Sequence, residues 1–523
     1  MAGTEGLLND PSFQSIGALL RAHARRDPQR QALVDVATRH GIAFGELADA
    51  ADAIAGRLRA HGLAPGARVL LAGANGIDKL LLWIATWRLG AVVCPLDPGF
   101  SGAGVVRSVA AILQPALVLA PAGADASPFA GFPLLRHGRW GEDAAPDELS
   151  LATGPAPAGL PENGPGDLAS ICCTSGTSGE PKLLLYDHGC YWQNGLDTID
   201  TIGLTAADRL LEYRSFDWYS AQILSLMPCL IAGLTLCVAP RFSRRSLPGW
   251  LRREKITVCV GVPAVVNILL EAPLPPATLA GVRAMTCSSA PLARPQWERF
   301  EALYGVGILN LYGSSEAGWM CANRAGARKV GTVGQPVRRI AFDVLDADGQ
   351  PCPPNQAGQV VVAGTKLALG LLRADGGVDP IRGAPFAMRD AAMRDDDGFV
   401  CILGRTDDLI IRGGVKIVPQ EIEEVLLAHP DVAEAAALGV PDPVYGEEPA
   451  CFVVPHAHRG IDVDALLAWC AARLPREKQP KSVSIVDALP RNARGKLVRD
   501  ALRRRWWSAR TAGADEDQAA GDL

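Results

Sequence analysis

The strongest constraint on the fold is an order of elements that occurs twice. Leu81 to Leu89 reads as a helix closed by Gly90, followed by a strand at Ala91 to Leu96, a helix at Ala103 to Leu113 and a strand at Ala116 to Ala120. The order returns with a helix at Ala221 to Ala232 closed by Gly233, then strand Thr235 to Ala239, helix Arg245 to Glu254 and strand Thr257 to Gly261. Strands that alternate with helices form parallel sheets covered on both faces, because each parallel pair needs a crossover connection. The expected fold class is therefore α/β, with a large N-terminal domain built from two α/β sub-units. A chain of 523 residues exceeds one ordinary core, so further units must follow.

From Phe342 the texture changes to short alternating strands, Phe342 to Asp346, Gln359 to Ala363 and Phe399 to Leu403, the last preceded by an Asp397-Gly398 turn. This predicts a small antiparallel β-sub-domain. Beyond it comes an α+β segment with helix Pro419 to Leu427, strands Val432 to Gly439 and Ala450 to Pro455, helix Val463 to Arg473 and strand Ser482 to Asp487. The expected division is a large domain over 1–405, a hinge at 406–408, a small mobile domain over 409–507 and a polar, acidic, disordered tail over 508–523.

A net charge of −5 argues against a nucleic-acid partner. The thirteen cysteines show no CxxC spacing and several sit in apolar strand-like runs, as expected of reduced, buried thiols and not of a zinc site. Met1 to Pro11 lacks a basic segment followed by an apolar core, and no apolar run reaches membrane-spanning length, so a cytoplasmic protein without membrane contact is expected. The oligomeric state stays open, a homodimer included.

Between two strand-like runs, Leu168 to Cys173 and Leu183 to Tyr186, lies Thr174-Ser175-Gly176-Thr177-Ser178-Gly179-Glu180-Pro181-Lys182. Glycines let backbone N–H groups turn toward an anion, hydroxyls add adaptable donors and lysine adds a full charge, which is polyphosphate chemistry. A Walker loop needs four residues between its glycines and a Lys-Ser/Thr pair opening a helix. Here two residues separate Gly176 from Gly179 and a strand follows Lys182, so the loop is of another kind.

Other segments gain meaning beside it. Tyr312-Gly313-Ser314-Ser315-Glu316 offers an aromatic face for a base and a carboxylate for Mg²⁺, and Ser289-Ala290-Pro291 is small enough for the opposite wall of a flat slot. Asp390 has the chemistry to accept from ribose hydroxyls and Arg405 to donate to the same sugar. Each alone has a plainer reading as a surface charge or helix cap; their joint order around a phosphate loop weakens it.

Together these segments resemble the adenylate-forming superfamily of acyl-CoA synthetases, peptide-synthetase adenylation domains and luciferases, from Phe13 to Arg505. The loop from Thr174 to Lys182 is similar to that family's phosphate loop, Tyr312 to Glu316 to its Tyr-Gly-x-Thr-Glu signature, Asp390 to its ribose aspartate and Gly404-Arg405-Thr406-Asp407 to its hinge motif. The resemblance implies that Lys496 completes the adenylation site, that Thr177 and Glu316 hold Mg²⁺, that Asp407 is the pivot of a domain rotation, and that Gly413 and Gly414 then line a tunnel for a thiol. It implies ATP, Mg²⁺ and a small carboxylic acid as ligands.

For the thiol, Arg412-Gly413-Gly414-Val415-Lys416 and Gly439-Val440-Pro441-Asp442 resemble the CoA-ligase form of those segments, so coenzyme A is expected. Phe216-Asp217, in place of the Phe-His of many acyl-CoA synthetases, is closer to amino-acid-activating domains and keeps carrier-protein loading open as an alternative. A catalytically silent ATP-binding sensor or scaffold is a third reading. The acyl pocket expected by resemblance comprises Phe216, Asp217, Trp218, Tyr219, Gly261, Val262 and Met320, whose aromatics suit a short, cyclic or aromatic acid. An uncompensated Asp217 in that pocket would be costly, and a cationic or hydroxylated substrate would relieve it.

Overall fold

The computed structural model describes residues 12–97, 101–175, 181–456, 459–491 and 497–508. Two large mixed sheets form the body of the chain, one of nine strands and one of eight. Five neighbouring strands of the eight-stranded sheet are parallel, Leu168–Ser175, Val92–Pro95, Arg68–Leu71, Leu117–Pro121 and Leu134–His137 in spatial order. In the nine-stranded sheet Gln31–Asp35 pairs in parallel with Thr235–Val238, whose order continues through Arg209–Glu212, Val258–Cys259, Ala284–Cys287 and Ile308–Ser314. Antiparallel strands extend both sheets, so the expected all-parallel character holds only for their centres.

Alternation along the strands divides the core. Leu33, Val69, Leu71, Leu210 and Leu236 face the space between the sheets, where they pack with helices Phe44–Ala60, Ile77–Arg88 and His188–Ile202. Val34, Leu211 and Cys237 face the other way, against helices Leu247–Arg253, Pro263–Glu271 and Arg294–Tyr304, and Leu70 and Val118 face helix Ala103–Leu113. The two sheets thus share a central helical layer and carry outer helical layers of their own.

Helices close where glycine permits a left-handed residue, at Gly203 (φ 67°) and Gly233 (φ 69°). The expected helix from Ala221 is not uniform: Tyr219–Ala221 leads into a widened turn at Gln222–Leu226 before Met227–Ala232. Pro228 has no N–H to donate and its ring crowds the carbonyl four residues back, which the wider turn accommodates.

Ala341–Leu345, Gly358–Ala363, Phe386–Arg394 and Val400–Arg405 form the expected antiparallel sub-domain sheet. After the single turn Thr406–Asp408, the chain builds a separate five-stranded sheet with its own core, including Ile410, Ile417, Ile422, Val453 and Leu466. Met1 to Pro11 and the tail 509–523 lie outside the described residues.

Candidate active site

The phosphate loop joins two antiparallel strands, Leu168–Ser175 and Pro181–Asp187, with Thr174 directly opposite Lys182 in the register. Thr174 is buried and Lys182 half-buried at the mouth of this hairpin. Gly176, Thr177, Ser178 and Gly179 lie outside the described residues, as does Lys496.

The base and ribose candidates gather at the carboxyl ends of adjacent parallel strands, where open α/β sheets bind ligands. Ala284–Cys287 runs into Ser288 and Ser289, and its neighbour Ile308–Ser314 carries Tyr312 and Gly313. Ser289 is exposed and has φ 76°, a left-handed backbone that a side chain tolerates only at some cost. Ala290 is half-buried and Pro291 exposed on the same rim. At Gly313 an added Cβ would sit 2.5 Å from the carbonyl oxygen of Gly318, so the hairpin there admits glycine only.

Tyr312 donates its hydroxyl to Oδ2 of Asp390. Burial, reinforced by that carboxylate, pushes the phenol far above its ordinary value, so it remains a donor. Asp390 and Arg405 are directly opposed residues of an antiparallel pair, which puts their side chains on one face of the sub-domain sheet. Arg405 and Arg389 also approach Asp407, at 3.7 and 3.8 Å. Asp408 instead faces Arg499 and Arg503 at 3.7 and 3.8 Å, so neighbouring aspartates of the turn face arginines from opposite sides of it in the chain.

The carboxylate of Glu316 is half-buried and takes part in no ion pair among the described residues, which suits a hard cation such as Mg²⁺. Its turn is held through the backbone. Tyr186 Oη donates to Ser315 O (2.7 Å), Ala368 N donates to Glu316 O (2.8 Å), and Ala317 N donates to Ser314 Oγ (3.1 Å). Asn194 Oδ1 accepts from Trp319 N (3.0 Å), and Lys366 Nζ donates to Trp319 O (2.5 Å) and to Asp197 Oδ2 (2.6 Å).

The acyl-pocket candidates divide. Phe216, Tyr219 and Met320 are buried in the core between the sheets, while Trp218 is half-buried. Val262 packs against the outer core of the nine-stranded sheet, and Gly261 is wedged so tightly that a Cβ would lie 2.4 Å from Thr286 O. Asp217 neither faces solvent nor lacks compensation: it is 4% exposed and its Oδ1 lies 2.5 Å from Lys79 Nζ. Lys79 also donates to Gly73 O (2.8 Å), and Asp97 N donates to Asp217 Oδ2 (2.8 Å). The electrostatic reason for a cationic substrate is thereby removed, because the chain supplies the countercharge.

Lys79, Tyr186, Asn194 and Lys366 escaped the sequence reading. A lysine inside the apolar run Ile77-Asp78-Lys79-Leu80-Leu81-Leu82 signals a buried partner, since lysine is almost never buried unpaired. In the C-terminal sheet, Gly413 (φ 55°) and Gly414 (φ 87°) turn the chain between Ile410–Arg412 and Val415–Ile417. Gly413 N donates to Tyr445 O (2.7 Å), while Arg412 pairs with Glu448 and lies over the Tyr445 ring.

A family model described as AMP-binding enzyme matches residues 20–372, and one described as AMP-binding enzyme C-terminal domain matches residues 421–496. The chain belongs to the AMP-binding enzymes, within the adenylate-forming superfamily that its motifs resemble. It is 31% identical over 502 residues to feruloyl-CoA synthase of Amycolatopsis sp, covering 94% of this chain and 99% of that one. Sulfoacetate–CoA ligase of Cupriavidus necator is 33% identical over 505 residues, covering 93% and 97%. The crystal structure of ATP-bound MatB from Rhodopseudomonas palustris matches with a TM-score of 0.82 at 27% identity, over 94% of this chain and 99% of that chain. No helix of the described residues is long and apolar enough to cross a membrane.

Proposed function

We propose that the protein is an AMP-forming acyl-CoA ligase. A carboxylate oxygen of the acid attacks the α-phosphorus of ATP, the bond to pyrophosphate breaks, and the acyl-adenylate forms. The sulfur of coenzyme A then attacks the acyl carbonyl, the thioester forms and AMP leaves. The observation that carries this reading is the Tyr312–Asp390 pair with Arg405 opposed to Asp390, at the carboxyl ends of the central strands and beside a hydroxyl- and lysine-bearing hairpin.

Bringing a carboxylate to a polyphosphate opposes two anions. The loop hydroxyls of Thr174, Ser175, Thr177 and Ser178, with Lys182, donate to the departing pyrophosphate, and Lys496 bridges the acid and the α-phosphate. Magnesium, when bound by Glu316 and Thr177, supplies charge neutralisation on phosphate oxygens. Asp407 is the pivot about which the segment beyond it exchanges Lys496 for Gly413 and Gly414.

The acid is aromatic or short and carries no ammonium group. Two relatives are named for the ferulic and sulfoacetic acids they activate, and the Asp217 carboxylate that an amine would need is already paired with Lys79. The test is a panel of acids with ATP and Mg²⁺, following pyrophosphate release with CoA, with hydroxylamine and with neither. CoA-dependent AMP and thioester formation is expected. Hydroxamate formation with no CoA thioester would point to a carrier-protein thiol, and silence across the panel to a non-catalytic nucleotide binder.

A further inference from the structure

Tyr186, which no motif names, links the phosphate-loop hairpin, the turn before Glu316 and the acyl segment. Tyr186 is fully buried in the second strand of the phosphate-loop hairpin, four positions beyond Lys182. Its hydroxyl donates to the carbonyl of Ser315, which precedes Glu316. Its ring stacks on Tyr219 of the acyl segment, with centroids 3.9 Å apart and planes within 12°. Tyr219 in turn accepts from Asn194 (3.2 Å), the residue that fixes Trp319 N on the far side of the same turn.

A carbonyl has no proton to give, so only the Tyr186 O–H can make the Ser315 bond. The carboxylate of Glu316 projects from backbone held one residue earlier by Tyr186 and at its own carbonyl by Ala368 N. Removing the hydroxyl frees the turn on the side nearest the phosphate loop while leaving the ring stack, and hence the core packing, in place. Outer-shell groups that orient a ligating carboxylate commonly change metal affinity or activity by about 10- to 100-fold when lost.

We propose that Tyr186 is a positioning residue: its hydroxyl sets the Glu316 carboxylate against the phosphate-loop hairpin, so that the magnesium-dependent part of ATP binding depends on a side chain that touches neither metal nor nucleotide. The inference rests on the role of Glu316 proposed above.

The experiment measures ATP affinity of the full-length protein by calorimetry, with Mg²⁺ and with excess EDTA, for wild type, Tyr186→Phe, Glu316→Gln and Tyr191→Phe. Tyr191 is the control because it is an adjacent buried tyrosine whose hydroxyl donates to Gln222 (2.6 Å), away from the turn. The expected result is that Tyr186→Phe lowers the ratio of Mg²⁺-ATP to metal-free affinity by about tenfold, Glu316→Gln abolishes it and Tyr191→Phe leaves it unchanged. An unchanged ratio in Tyr186→Phe, with Glu316→Gln still abolishing it, overturns the role of Tyr186 alone. A ratio that survives Glu316→Gln overturns the metal role of Glu316 and this inference with it. A wild type that binds no ATP refutes the broader functional reading. A Tyr186→Phe protein with lost near-ultraviolet dichroism would assign the hydroxyl to the fold and overturn the positioning role.

Discussion

Breaking the buried pair Lys79–Asp217 separates a structural from a substrate-facing role for Asp217. The side chains are 3% and 6% exposed and their charged atoms lie 2.5 Å apart, so removing one partner strands the other charge out of reach of water. Such a break typically costs about 3–5 kcal/mol. Asp217→Asn keeps an acceptor for Asp97 N, so its loss comes chiefly from Lys79, left with Gly73 O as its hydrogen-bond acceptor among the described residues. For a folding unit of roughly 400 residues the melting entropy is about 0.8 kcal/mol/K, and the same loss lowers Tm by about 4–6 °C. Lys79→Met should cost a similar amount, and the double variant Lys79→Met/Asp217→Asn no more than either single one, giving a coupling of at least about 3–5 kcal/mol in a double-mutant cycle. Urea unfolding and calorimetry measure the stability. In parallel, kcat/KM is compared for matched acids with and without an α-ammonium group, and its ratio should stay within about threefold of wild type, less than 1 kcal/mol. A fully stable Asp217→Asn with a shifted ammonium preference would refute the reasoning and return Asp217 to the substrate.

His188, buried beside Trp87, is pushed down to about 4 by burial, so the folded state resists its protonation. Stability present above the ordinary histidine value of about 6.5 should fall by about 1.4 kcal/mol per pH unit as pH drops toward 4, and less steeply in His188→Asn; equal pH profiles would contradict this. Gly318 has φ 64°, and a Cβ there would lie 2.1 Å from Asn194 Oδ1, so Gly318→Ala should lower Tm and raise the KM for ATP together, measured by calorimetry and steady-state kinetics. Asp390→Ala removes the proposed ribose acceptor and should raise the KM for ATP by about tenfold or more while the KM for the acid changes little, a split read in steady-state kinetics.

The legible features were local. Gly90 and Gly233 announced where helices end, and the helix boundaries Ala103–Leu113 and Pro419–Leu427 followed from periodicity and from proline at the first turn. The phosphate-loop hairpin was legible because both flanks read as strands and the register closes within a few residues. Long-range pairing was not: Gln31–Asp35 lies beside Thr235–Val238, and Gly370–Leu372 joins the strand after the phosphate loop, with nothing in either segment naming its partner. The same limit governed the site. Tyr312, Asp390 and Arg405 carry motif chemistry, but whether Asp217 faces a substrate or a lysine depends on Lys79, 138 positions away. At Gly261, expected by resemblance to line the acyl pocket, a Cβ would lie 2.4 Å from the Thr286 carbonyl, so packing by itself also demands glycine there.

Acid-dependent exchange of labelled pyrophosphate into ATP, run without CoA and then with CoA added, tests the central claim most directly. The account predicts exchange only when a suitable acid is present, followed on CoA addition by stoichiometric AMP and acyl-CoA. Formation of ADP and phosphate, or acyl-CoA formation with no acid-dependent exchange, would contradict an adenylate intermediate.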